Sequence, residues 1–154
     1  MERFPSVKAR DLEGREVTIP DGLPPTPRVV ILAFKRSHTA LIESWEPVLE
    51  ALESRCRQLS VWEVPALSRV YLPMRGFIDG GMRSGITDPQ ARQHTLTAYT
   101  DLSALARELG LPSLDTIYVL LLAPDGAIVW RGQGPADAKQ TAALRGAVEE
   151  LACG

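Results

Sequence analysis

Apolar positions along the chain change period several times, and each change marks an element. Val29 to Phe34 is a continuous apolar run, β-branched at its start, which is how a strand buried on both faces reads. A polar turn follows, Lys35-Arg36-Ser37-His38. Leu41, Ile42, Trp45, Val48, Leu49 and Leu52 then recur at helical spacing, a stripe wide enough to face a core. Pro47 lies inside that stripe, removes a backbone donor and predicts a bend. The unit is strand, tight turn, helix. Ligands of open α/β sheets gather where strands end and helices begin, so Lys35 to Ile42 is the first place to look for a site.

The remaining pattern extends this unit. Phe4 to Thr18 reads as a hairpin turning at Asp11-Leu12-Glu13-Gly14, with Val17 and Ile19 alternating as in an edge strand. Leu59 to Val64 predicts a second central strand, and so a βαβ unit. Ala66 to Met74 is read as a short helix turning Leu67, Val70, Tyr71 and Met74 inward. Gly76, Gly80, Gly81 and Gly85 make the next stretch bendable, and Asp88 is placed to cap a short helix begun by Pro89. Leu96 to Tyr99 is a strand, Asp101 caps a helix that Gly110 stops, and Thr116 to Ala123 is another buried strand. Pro124-Asp125-Gly126 turns it back through Ala127 to Arg131, and Asp137 to Leu151 closes as a helix. These elements predict an α/β fold over a single domain, residues 1–154, with a mixed central sheet, helices on both faces and an inserted segment around 65–95.

Composition changes little. The chain has 154 residues, 45% hydrophobic and 23% charged, with a formal net charge of −2. Nothing in that balance favours nucleic acid or an anionic membrane surface as partner. No apolar run is long enough to cross a membrane and the N-terminus lacks a signal-peptide core, so a cytoplasmic protein without membrane insertion is expected. The two cysteines, Cys56 and Cys153, are read as distant thiols rather than a disulfide framework, with Cys153 mobile near the end. Both are expected to be inert, although Arg55 and Arg57 beside Cys56 leave a reactive thiol open.

Strand, Phe34, short turn and a Pro-bent helix together resemble the central element of the thioredoxin superfamily. Aligning Phe34 and Pro47 with that family puts Thr39 and Ile42 where its Cys-x-x-Cys would stand. The N-terminal pattern resembles the hairpin of peroxiredoxin-like relatives. Arg36-Ser37, Ser44-Trp45, and later Tyr118, Val119, Leu121, Trp130, Gly132, Gly134 and Ala136 are similar to one branch, named for the mitochondrial chaperone of ATP-synthase assembly. Ile128 departs from that pattern, where the branch carries Arg. The resemblance implies a thioredoxin-like fold without thiol redox work, acting as a binding or assembly module for another protein.

Candidate chemistry is sparse. Thiol exchange needs a thiolate at the helix start, and Thr39 cannot supply one. A Thr39–His38–Asp115 triad is disfavoured because adjacent residues at a helix start point apart. No catalytic residue, cofactor or metal site is therefore assigned, the two histidines having no ligand spacing. Ser37 or Thr39 is expected to cap the helix, with His38 exposed on the turn. Lys35, Arg36, Ser37, His38 and Thr39, joined by Thr116 and by Arg75 and Arg83 of the insertion, are the candidates for binding an anion or a partner protein. The alternatives are an oxidoreductase or peroxidase using a non-standard cysteine, Cys56, and a homodimer with a purely structural role.

Overall fold

A computed structural model describes residues 2–152 of the chain. Seven strands form one mixed sheet: β1 (Val7–Asp11), β2 (Glu16–Ile19), β3 (Arg28–Ala33), β4 (Ser60–Ser68), β5 (Leu96–Thr100), β6 (Tyr118–Leu122) and β7 (Ile128–Gln133), in the order β2-β1-β5-β4-β3-β6-β7. The three central strands β5, β4 and β3 are parallel, and every other pairing is antiparallel. The helices are α1 (Thr39–Glu43), α2 (Glu46–Arg55), α3 (Arg75–Gly85), α4 (Pro89–Gln93), α5 (Leu102–Leu109) and α6 (Ala138–Ala152), with 3-10 turns at Arg36–His38 and Arg69–Met74.

All six residues of β3 are buried, as expected of a strand covered on both faces. Val29, Ile31 and Ala33 pack with Trp45, Val48, Leu49 and Leu52 of the α2 segment and with Leu144 and Val148 of α6. Val30 and Leu32 pack on the opposite face with Leu105 and Leu109 of α5. Three of the caps read from the sequence hold: Asp101 accepts from the Ala104 N–H at 3.0 Å, Asp88 from the Ala91 N–H at 3.4 Å, and Gly110 takes φ of 66° at the end of α5.

Four expectations are corrected. Pro47 does not bend one helix but helps to begin a second, because a proline at the start of a helix loses no bond. β4 runs on to Ser68, four residues beyond Val64, since Ala66–Ser68 finds a partner in β5. The predicted helix over Ala66–Met74 is thus half strand and half 3-10 turn, and Val70, Tyr71 and Met74 face solvent instead of the core. The glycine-rich stretch expected to be merely bendable forms α3.

Candidate functional site

β4 is the floor of a wide cleft. Val64 and Ala66 point into the core under α5. Their alternates Val61, Glu63, Pro65 and Leu67 face the other way, where α2 and α3 stand apart. The cleft has a volume of about 1410 Å³. One wall is α1 and α2, contributing Thr39, Ile42, Glu43, Glu46, Glu50 and Glu53. The other is α3 and the segment following it, to His94.

A polar network holds α3 to the sheet. Asp79 accepts from the Tyr99 hydroxyl at 2.8 Å and the Thr97 hydroxyl at 2.9 Å, and Arg75 donates to Asp79 at 3.3 Å and to the Thr97 carbonyl at 3.0 Å. The Arg75 guanidinium also lies 4.6 Å from the Tyr99 ring centroid. Burial, then the bond to Asp79, pushes the Tyr99 hydroxyl well above its ordinary range, so it stays a proton donor. Arg75, a candidate for anion binding, is engaged in this network.

The other candidates divide. Lys35, Arg36 and Thr39 border the upper end of the cleft. Lys35 pairs with Asp115, and the bond from its ammonium holds that exposed carboxyl below the usual range. Ser37 and Arg83 are exposed outside the cleft, and Thr116 is half-buried near Gly134. His38 is the main correction. It is 3% exposed, not displayed on the turn: its Nδ1 accepts the Phe34 N–H at 3.1 Å and its ring meets Phe34 edge-on. An accepting Nδ1 puts the proton of the neutral ring on Nε2, which has no partner among the described residues. The expected side-chain cap is absent too. Neither helical start here is capped by a side chain, and the Thr39 hydroxyl instead donates to the Arg36 carbonyl at 2.9 Å.

Cys56 is buried at the end of α2 and disulfide-bonded, which corrects the expectation of two unbridged thiols. Cys153, expected to be mobile, lies outside the described residues. Among the described residues no group of His, Cys, Asp and Glu is placed to hold a metal ion, and no helix is long and apolar enough to cross a membrane.

Sequence reading missed the acidic wall. Glu43, Glu46, Glu50 and Glu53 fall three or four residues apart, a spacing that shares one helical face and could have been found. Glu63 interrupts an apolar strand and was another visible signal. Burial, with Glu46 nearby, raises the Glu63 carboxyl; burial, with Glu43 and Glu50, raises that of Glu46. A carboxyl raised on folding binds more protons in the native state, so stability falls as pH climbs from the unfolded value through the folded one. Glu63→Gln is therefore expected to raise the Tm more at about pH 7 than below about pH 4, where the carboxyl is protonated folded and unfolded alike. An equal shift at both pH values in thermal melts would refute that origin.

Ser44, Trp45, Trp130, Gly134 and Ala136, five of the residues behind the branch resemblance, meet elsewhere in one contact. Ser44 Oγ accepts the Ala136 N–H at 2.9 Å, and the Trp45 indole N–H donates to the Gly134 carbonyl at 2.9 Å. A Cβ on Gly132 would come within 2.5 Å of the Trp130 ring, so only glycine fits there.

No family model and no curated protein matches the chain. Solved structures do. A protein of Aquifex aeolicus described as a candidate electron transfer protein superposes with a TM-score of 0.66 at 15% identity, covering 96% of this chain and 91% of that one. The pneumococcal exposed lipoprotein thioredoxin of Streptococcus pneumoniae gives 0.60 at 12% identity, covering 94% and 99%. BsSco, of the Sco family of cytochrome c oxidase assembly proteins, gives 0.59 at 10% identity, covering 95% and 93%. At such identities the likeness is one of fold alone. With a mixed sheet flanked by helices, as expected, and these neighbours across nearly its whole length, the chain has a thioredoxin-like α/β fold.

Proposed function

We propose that this protein is a redox-inactive binding module of the thioredoxin-like fold, an assembly or chaperone-like factor for another protein. One observation carries the reading. Val70, Tyr71, Leu72, Met74 and Phe77 are 46–82% exposed on consecutive turns of the insertion. Monomeric proteins rarely leave so many large apolar side chains side by side on the surface, and such patches mark protein contacts.

The chemistry at the helix start supports it. Thr39 is exposed there and Ile42 half-buried, neither able to form a thiolate. Cys56 is 1% exposed and already bonded, so the alternative of a peroxidase or oxidoreductase using that sulfur lacks an accessible nucleophile. Lys35, Arg36 and Thr39 join the binding face as its polar rim. The disulfide bears on compartment as well. Disulfides persist in oxidising compartments and are rare in the reducing cytosol, so we favour an oxidising setting over the cytoplasm expected from the sequence.

The test pairs two assays. The wild type is expected to reduce insulin and consume peroxide no faster than buffer. Tyr71→Ser/Phe77→Ser is expected to keep its Tm within a few degrees and to lose the partner that the wild type retains on co-purification. Thiol turnover, or full retention by the variant, would overturn the reading. A second copy of this chain as that partner would appear as a doubled solution mass that the variant abolishes.

A further inference from the structure

Helix α3 is unusual in what it lacks. No residue of it is buried. It carries Gly76, Gly80, Gly81 and Gly85, and each glycine weakens a helix by about 1 kcal/mol relative to alanine. A Cβ built at any of the four meets nothing within 4 Å, so packing inside this chain does not require glycine there. All four border the cleft, beside Phe77, which is 82% exposed. The helix therefore presents a smooth backbone wall to empty space.

The facing wall has the opposite character. Glu43, Glu46, Glu50 and Glu53 line it, Glu63 rises from the floor, and none of them forms an ion pair among the described residues. Burial and like-charge repulsion raise the carboxyls of Glu46 and Glu63, and burial, against an opposing effect of His94, raises that of Glu53. The positive groups bordering the cleft at one end are Lys35, already paired with Asp115, and Arg36. Between the walls the surface is mostly apolar, with Ile42, Val61, Pro65 and Leu67 along it. An apolar groove flanked by unneutralised carboxylates is complementary to a chain that is apolar on one side and cationic on the other.

The floor decides the form of that chain. β4 pairs with β3 over Ser60–Pro65 and with β5 over Ala66–Ser68, and it is the side-chain face of the strand, not its backbone edge, that lines the groove. What fits between two helices on a sheet face is a third helix.

We propose that the groove between α2 and α3 takes an amphipathic helix of another protein, its Lys/Arg side against Glu43 to Glu53, its apolar side on β4, and its backbone against the glycine face of α3. The proposal rests on the protein-binding reading and names the partner's chemistry. The wall from Thr39 to Glu53 is about 20 Å long, which matches an occupant of about 14 residues.

The probe is a labelled helical peptide of about 14 residues, with Leu and Lys arranged on opposite faces, followed by fluorescence anisotropy. Saturable one-to-one binding is expected, weakening as salt rises. Glu46→Gln/Glu50→Gln/Glu53→Gln is expected to weaken it about tenfold or more and to flatten the salt dependence. Gly80→Ala/Gly81→Ala is expected to weaken it comparably while the Tm holds or rises, because the added methyls meet open space in the unbound protein. Glu108→Gln/Glu150→Gln, exposed elsewhere, should change nothing. The proposal is overturned if the peptide does not saturate, if both groove variants bind like the wild type, or if spermine binds while the glycine variant is unaffected, which would make the groove a small-polycation site. Such a failure leaves the patch variant of the co-purification test unaffected, whereas thiol turnover would sink the broader reading and leave this titration standing.

Discussion

Replacing Trp45 with alanine is expected to cost about 4–6 kcal/mol of stability, read as a lower urea midpoint at constant slope. Trp45 is completely buried and follows the break between α1 and α2. Its ring meets that of Trp130 edge-on, with centroids 6.2 Å apart, and its indole N–H satisfies the Gly134 carbonyl. Truncation opens a cavity, worth about 3–5 kcal/mol for a large aromatic, and orphans a buried acceptor, worth about 1 kcal/mol or more. Natural domains have only about 5–15 kcal/mol in hand, so the variant should be at the edge of folding. Trp45→Phe keeps most of the volume and loses the bond, so a loss nearer 1–3 kcal/mol is expected. If alanine costs less than about 1.5 kcal/mol, the α1–α2 junction is not anchored through this side chain.

Arg28→Met is expected to be the second most damaging change, at about 3–4 kcal/mol. Arg28 opens β3 and is 2% exposed. One guanidinium nitrogen donates to the Pro20 carbonyl at 3.0 Å, the other to those of Ala123 and Pro124 at 2.6 and 3.1 Å. Burial lowers the Arg28 pKa, and Asp125 and Asp21 oppose that shift, so the side chain remains charged. A buried ion pair can often be replaced by apolar residues without loss, because both charges leave together. Here the partners are backbone carbonyls, which stay behind with no donor. Arg28→Lys keeps the charge but not the fork, and should recover only part of the stability. If methionine proved neutral in equilibrium unfolding, the carbonyls would have to be reached by water and the tether would be no tether.

These two positions show how differently parts of the molecule could be read. Trp45 stood out as an apolar member of a helical stripe, and its burial followed from period alone. Arg28 had no such signal: an arginine at the start of a strand looks like a surface residue until three carbonyls from two other loops close around it. His38 misled for the same reason. Its neighbours in sequence are polar and its turn is short, yet its ring is buried against Phe34.

The branch pattern was legible as two separate pieces, Ser44-Trp45 and Trp130 to Ala136. Only the structure joins them into one contact, and that contact lies away from the cleft. It accounts for those residues by packing and backbone hydrogen bonding.

By itself the sequence determined the place of each strand, most helices, the caps of α4 and α5, the order of the elements and the absence of thiols at the helix start. Those features rest on interactions within a few residues: side-chain period, turn chemistry and a hydroxyl or carboxylate reaching the next turn of backbone. The tertiary structure decided that β4 runs on to meet β5, that Val70, Tyr71 and Met74 face outward, that Arg75 is committed to Asp79 and Thr97, and that a row of glutamates faces a row of glycines. Each depends on elements far apart in the chain arriving side by side, and the free energy of burying or baring a side chain is set by those neighbours rather than by its own stretch of sequence.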